Sequence, residues 1–327
     1  MESFYVIGAQ QKNGVFQDWE QYQKGVILKV TPQRKTAQKC LEYVSPPEVL
    51  PDANPSILFT AATIAQNILY VGTNTEILVF SLPNFQRVGY ITLPCFNDIH
   101  HVRLAASGNL LIVNTGLDMV LEVSPKGEIV NEWSVTGMDP WKKFSHATDY
   151  RKVPTTKPHH SHPNYVFQIG QDIWATRCLQ KDAICLTKPG KKIDIGGDLI
   201  HDGIVEGNLL YFTQVTGKVV TVDLHTLKVN QIFDLTKITP SGKQLGWCRG
   251  INVLDNERVI VGFTRIRPSK KRQADGTIKW EGQYGTMPTR IACYNLKQEK
   301  LLWEQQLEDY GMNAVYSIHS EWSGEQR

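Results

Sequence analysis

The sequence predicts an all-β fold, a β-propeller of six four-stranded blades closed into a ring, and three observations predict it. A short strand, a turn and a second, strongly apolar strand recur along the 327 residues. Four of these units open on a histidine: His101, His162, His201 and His319. No stretch sustains an apolar 3.6-residue period, so helices are few, and a parallel α/β sheet, which needs them between strands, is excluded.

The units follow in order. SFYVIGA (3–9) is a second strand without a first, and NILYVGT (67–73) is preceded by Phe59 to Ala62. The third unit is the clearest, with HHVRLA, LLIVNT, MVLEVS and EIVNEWSV separated by SGN, GLD and PKG turns. DIWATR (172–177) follows His162, and the fifth unit reads LIHDGIV, LLYFTQ, VVTVDL and VNQIFDL. The sixth carries RVIVGFT (258–264) after Trp247, Cys248 and Arg249. VYSIHSE (315–321) is a first strand with almost no chain after it, so pairing it with SFYVIGA closes the ring. A repeat of roughly 40 residues with four short strands suits a propeller, because one small sheet cannot cover both its faces without neighbours. Seven blades, with one irregular unit in 135–160, is the alternative count.

The chain reads as one domain, 1–327, with two segments that break the period, 135–160 and 265–290. Loops of that length are functional or disordered. Both fall at the end of the ring where inner strands begin, which predicts that they cover the channel mouth. Hydrophobic content of 41% permits a full core, and 35 basic against 32 acidic residues give a net charge of +3. That mild balance argues against a nucleic-acid partner. The six cysteines form no CxxC pair and read as buried thiols of a cytoplasmic protein. MESFYVIGAQ lacks the pattern of a signal peptide, and no apolar run is long enough to span a membrane.

Residues that start inner strands ring the channel mouth. His101, His162, His201 and His319 are therefore the expected ligands of a divalent transition metal, Fe2+ or Zn2+ by imidazole preference, with Asp98 and Asp202 orienting their outer N–H groups. Strand alternation lets only one of His100 and His101 face the channel, and spacing favours His101. In HHSH (159–162), His160 and His162 point the same way, and either or both could be ligands; His159 adds to the choice. Arg249 stands where another unit has its histidine. With Arg177, Arg265 and Arg267 at the ends of second strands, it is the expected clamp for an acidic group. Gln214 and Asn114 are further polar substrate contacts, and His160, Asp202 and Tyr316 are the candidate acid–base groups. Trp141, Tyr150, Trp280 and Tyr284 on the two insertions are expected to close over a ligand. No phosphate-binding glycine loop, HExxH or GxSxG is present.

The whole-chain pattern resembles six-bladed β-propeller proteins. LIHDGIVEGNLLYFT (199–213), with the four histidines, is loosely similar to the carotenoid-cleavage oxygenases, which implies a four-histidine non-haem iron. HHSH with Arg249 resembles propeller lyases of acidic sugars, which implies a metal beside basic residues. The expected function is a metal-dependent enzyme, oxygenase, lyase or hydrolase, for a small anionic molecule. The alternative is a non-catalytic propeller that binds a protein, peptide or small ligand on its top face. The sequence leaves the oligomeric state open.

Overall fold

Each repeat folds as a four-stranded antiparallel sheet in the computed structural model, which describes residues 2–14, 16–240, 242–266, 269–272, 278–281 and 287–321. Blade one joins the two ends of the chain: Ala314–Ser320 pairs with Phe4–Gln11, followed by Tyr22–Thr31 and Thr36–Tyr43. The inner strands of blades two to six are Ala62–Ala65, Ile99–Leu104, Pro163–Ile169, Ile200–Glu206 and Trp247–Val253. The count of six and the closure by the last strand match the repeat reading. In blade six a hairpin, Ser269–Arg272 with Ile278–Glu281, stands between the second and third strands.

The apolar second strands sit mid-blade and are covered on both faces. Leu110–Asn114 is buried throughout, whereas the outer strand Ile129–Ser134 of the same blade is mostly exposed. Burial occurs between blades. Leu111 and Val113 of blade three pack with Val166 and Ala175 of blade four, and Phe167 and Trp174 pack in turn with Leu210 and Phe212 of blade five. The series returns to its start, because Ile260 and Ile291 of blade six share a layer with Phe4 and Val6 of blade one. No blade has a free face, which is why one repeat alone would not be stable.

Five of the six inner strands share an irregular start. The register slips between Ile99 and His101, Pro163 and Val166, His201 and Ile204, Cys248 and Ile251, and, opposite Ile7 and Gly8, between Val315 and Ser317. Each slip is a β-bulge, one residue more than the partner strand, and a bulge re-aims side chains. Left-handed backbone accompanies it at Asp98 (φ 50°), His162 (φ 54°), Asp202 (φ 52°) and Gly250 (φ 77°).

The first insertion reaches the mouth, though not through its aromatics, and most of the second lies outside the described residues. Arg151, Val153, Thr155 and Lys157 of the first line the mouth. Trp141 stacks on His146 at 3.6 Å and donates its indole N–H to Glu132, and Tyr150 is buried in the core of blade three. Both aromatics border a separate surface hollow, so neither closes over the mouth. Arg267, Tyr284 and the side chain of Trp280 lie outside the described residues. All six cysteines are unpaired thiols, and no helix among the described residues is long and apolar enough to cross a membrane.

Candidate functional site

The channel mouth holds a cavity of about 290 Å³ whose walls include Asp98, His100, His162, Arg249, Arg265 and Tyr316. These residues come from blades three, four, six and one, so the cavity is a product of the closed ring. His100 and His201 belong to blades three and five, with blade four between them, yet their ring centroids are 6.3 Å apart. Such an approach is possible only at the axis.

One wall carries a group of residues that could hold a metal ion. Among the described residues, the group of three or more His, Cys, Asp or Glu whose ligand atoms all lie within 4.8 Å of one another is Asp98, His159 and His162. Thr156 donates its hydroxyl to the Gly116 carbonyl, so it accepts from His159 Nε2–H at 3.2 Å and leaves His159 Nδ1 as a bare acceptor. His162 Nδ1 lies 2.8 Å from that atom and supplies the proton between them. Burial pushes the His162 imidazole well below its ordinary range, reinforced by His100, and burial lowers His159 as well. Burial alone would raise the Asp98 carboxyl, but His100, Lys157 and His159 around it hold it below the usual carboxylate range. Two neutral imidazoles and a carboxylate are the protonation states that a divalent ion requires.

His162 is placed by a residue that sequence reasoning passed over. The Asp118 carboxylate accepts three consecutive backbone N–H groups, from His160 (2.7 Å), Ser161 (3.0 Å) and His162 (2.9 Å). Asp118 follows the turn after the second strand of blade three, so blade three sets the conformation of the loop that starts blade four.

Arg249 occupies the other side of the cavity. Its guanidinium lies 4.2 Å from the Tyr316 ring and 5.5 Å from that of Trp247, while its buried Nε has no hydrogen-bond partner among the described residues. Burial holds the Tyr316 phenol far above its ordinary range despite the guanidinium beside it, so the hydroxyl stays protonated. Arg265 also lines the cavity, but Glu308 takes it in a two-pronged pair at 2.8 Å.

The four histidines expected to meet at one ion do not form one group. His162 alone of the four belongs to it. His101 is buried between blades: its ring stacks on Tyr165 at 3.6 Å, Nδ1 accepts from Val166 N–H, and Nε2 reaches the Thr63 hydroxyl. The bulge at His100 inverts the alternation that favoured His101, and His100 faces the cavity instead. His319 is drawn toward the Ala62 backbone of blade two, and His201 stands at the axis with Asp202 3.7 Å from its Nδ1 but outside that group.

Several expected substrate contacts serve the frame. Arg177 pairs with Asp182 and donates to the Val135 carbonyl. Asn114 bridges Asn97 N–H and the Cys95 carbonyl, and Gln214 donates to the Gly196 carbonyl. Asp202 accepts from Thr213 and from Gly250 N–H, and His160 is exposed beside the cluster. None of these five is among the cavity walls.

The interblade His101 gives a pH-dependent stability. It is fully buried, and burial, with Arg103 nearby, holds it well below the ordinary imidazole range. The folded protein therefore keeps it neutral while the unfolded chain takes up a proton below about pH 6.5. Stability falls as pH drops through that range. Urea unfolding at pH 6.5 and pH 5 should show a loss larger by about 2 kcal/mol in the wild type than in His101→Gln, with the other buried histidines contributing to both.

No protein-family model matches the chain, and no curated protein is similar to it. A solved protein of unknown function from Bacteroides caccae superimposes with a TM-score of 0.62 at 12% identity, covering 98% of this chain and 99% of that one. A streptogramin B lyase structure gives 0.49 at 12% identity over 90% and 95% of the two chains. A catalytically inactive virginiamycin B lyase from Staphylococcus aureus with quinupristin gives 0.46 at 13% over 74% and 79%. The first likeness is one of fold, end to end.

Proposed function

We propose that the chain is a metal-dependent enzyme acting on a small anionic organic molecule at the channel mouth. One observation carries the reading: Asp98, His159 and His162 converge beside a cavity that Arg249, with its Nε unpartnered, also lines. The three residues would hold a divalent transition metal. Two imidazoles and one carboxylate with open positions suit iron or zinc, and the bound ion supplies Lewis-acid or, for iron, oxygen chemistry. Arg249 orients the acidic group of the substrate, its planar fork kept flat by Tyr316. Tyr316 is the one member of the three expected acid–base groups that lines the cavity, and its protonated phenol can donate to a developing negative charge.

A second reading, a non-catalytic propeller that binds a peptide or small ligand, draws on the 2.8 Å contact between His159 and His162, which satisfies both nitrogens without an ion. Elemental analysis of untagged protein separates the two. The enzyme reading expects one iron or zinc per chain, lost in His162→Ala, and binding of acetate, sulfate or phosphate weakened at least about tenfold in Arg249→Leu. Protein that holds no stoichiometric metal after dialysis against either ion would leave the non-catalytic reading.

A further inference from the structure

Among the described residues, His201 is the buried imidazole whose two ring nitrogens both lack a hydrogen-bond partner. Its residue is 4% exposed. Buried polar atoms are almost always paired, so a doubly orphaned imidazole marks a place where something small must come. It is set apart from the neighbouring histidines, since His101, His159 and His162 all have ring nitrogens engaged.

Two neighbours define what it can do. Asp202 is anchored by Thr213 and by Gly250 N–H, both on one carboxylate oxygen, and its other oxygen lies 3.7 Å from His201 Nδ1. That is too long for a hydrogen bond, but such catalytic contacts commonly tighten when a site is filled. Across the axis, His100 Nδ1 lies 2.9 Å from the Asp98 carbonyl. A carbonyl only accepts, so that nitrogen carries the proton and His100 Nε2 is left as an acceptor. The two ring centroids lie 6.3 Å apart, and the proposal places one water between the rings.

We propose that His201, backed by Asp202, is the proton store of the cavity, reached through a water that it shares with His100. The proposal rests on the enzymatic reading of the cavity. An acidic X–H bond of the bound molecule breaks, its electron pair stays on X, and the intervening water accepts this proton while passing one of its own to His201 Nε2. The imidazolium so formed keeps its Nδ1 proton directed at the Asp202 carboxylate, which balances the charge, and the reverse transfer restores the site. His201 acts through the water and His100, so its role is one of relay.

Histidine-labelled ¹⁵N NMR of the whole, metal-free protein tests it without a substrate. The expected result is His201 protonated on Nδ1 and bare on Nε2, shifting to the Nε2–H tautomer in Asp202→Asn, with the Nε2 signal also moved by His100→Gln. Zinc titration of His201→Gln should match the wild type. An Nε2–H tautomer in the wild type, an Nε2 signal indifferent to both variants, or loss of zinc binding in His201→Gln overturns the relay. Failure of the wild type to bind zinc refutes the metal reading instead, and leaves the tautomer result to be judged alone.

Discussion

Gly8→Ala should prevent normal closure of the ring, with at least about 4 kcal/mol of stability lost and a fall in Tm of at least about 6 °C. A Cβ at this position would stand 1.8 Å from the Ala314 carbonyl oxygen and 2.9 Å from its carbon. Both are backbone atoms of the strand that seals blade one, so no side-chain rotation can relieve the contact. The register between Phe4–Gln11 and Ala314–Ser320 slips between Ile7 and Gly8, and the missing side chain lets the two backbones approach there. The displaced strand also carries Tyr316, so the cavity should lose its anion affinity together with its stability. Differential scanning calorimetry and anion titration check the two effects. Gly108→Ala is the matched control: it keeps a positive φ of 84° but meets nothing within 4 Å, so its cost should be confined to backbone strain.

Asp118→Ala should be nearly as damaging, by about 4 kcal/mol in urea unfolding, because three amides on one buried carboxylate lose their acceptor together. Asp118→Asn retains an acceptor oxygen without the charge and should lose less than half as much. Both variants should weaken zinc binding more than they weaken folding, since the amide of His162 itself is one of the three. A mutant that unfolds more easily yet binds zinc as the wild type does would show that the loop holds its shape without the carboxylate.

The ring was legible in the sequence for a simple reason. A second strand buried on both faces has to be apolar throughout, and that signature survives in NILYVGT, NLLIVNT, NLLYFTQ and RVIVGFT although the rest of each repeat varies. The closing strand was legible because SFYVIGA lacked a partner before it and VYSIHSE lacked one after it. His162 and Arg249 were placed at the mouth by the same phase argument, and both line the cavity, as does Tyr316, which was only a candidate acid–base group. The argument failed at His100 and His101, where a two-residue alternation was carried into a stretch that does not alternate. Asp98 with φ of 50° and the slip after Ile99 turn the chain there, and only the Asp98 position beside two histidines hinted at it. Asp98 itself moved from an expected supporting acceptor to the ligand group. Asp118 was invisible because its partners lie 42 to 44 residues away in the next blade, and a lone aspartate after a GL turn looks like turn chemistry.

The five bulged inner strands have a consequence for how such a protein can change. Below each slip the ladder resumes in step, as at Val102 opposite Ile112, Ile204 opposite Tyr211 and Ile251 opposite Val261. What projects toward the axis at the slip is thereby decoupled from the ladder that holds the blade. His100, Asp202, Arg249 and Tyr316 occupy these decoupled places, with His201 at the edge of its slip, so chemistry at the mouth can be rewritten one blade at a time while the surrounding ring keeps its register.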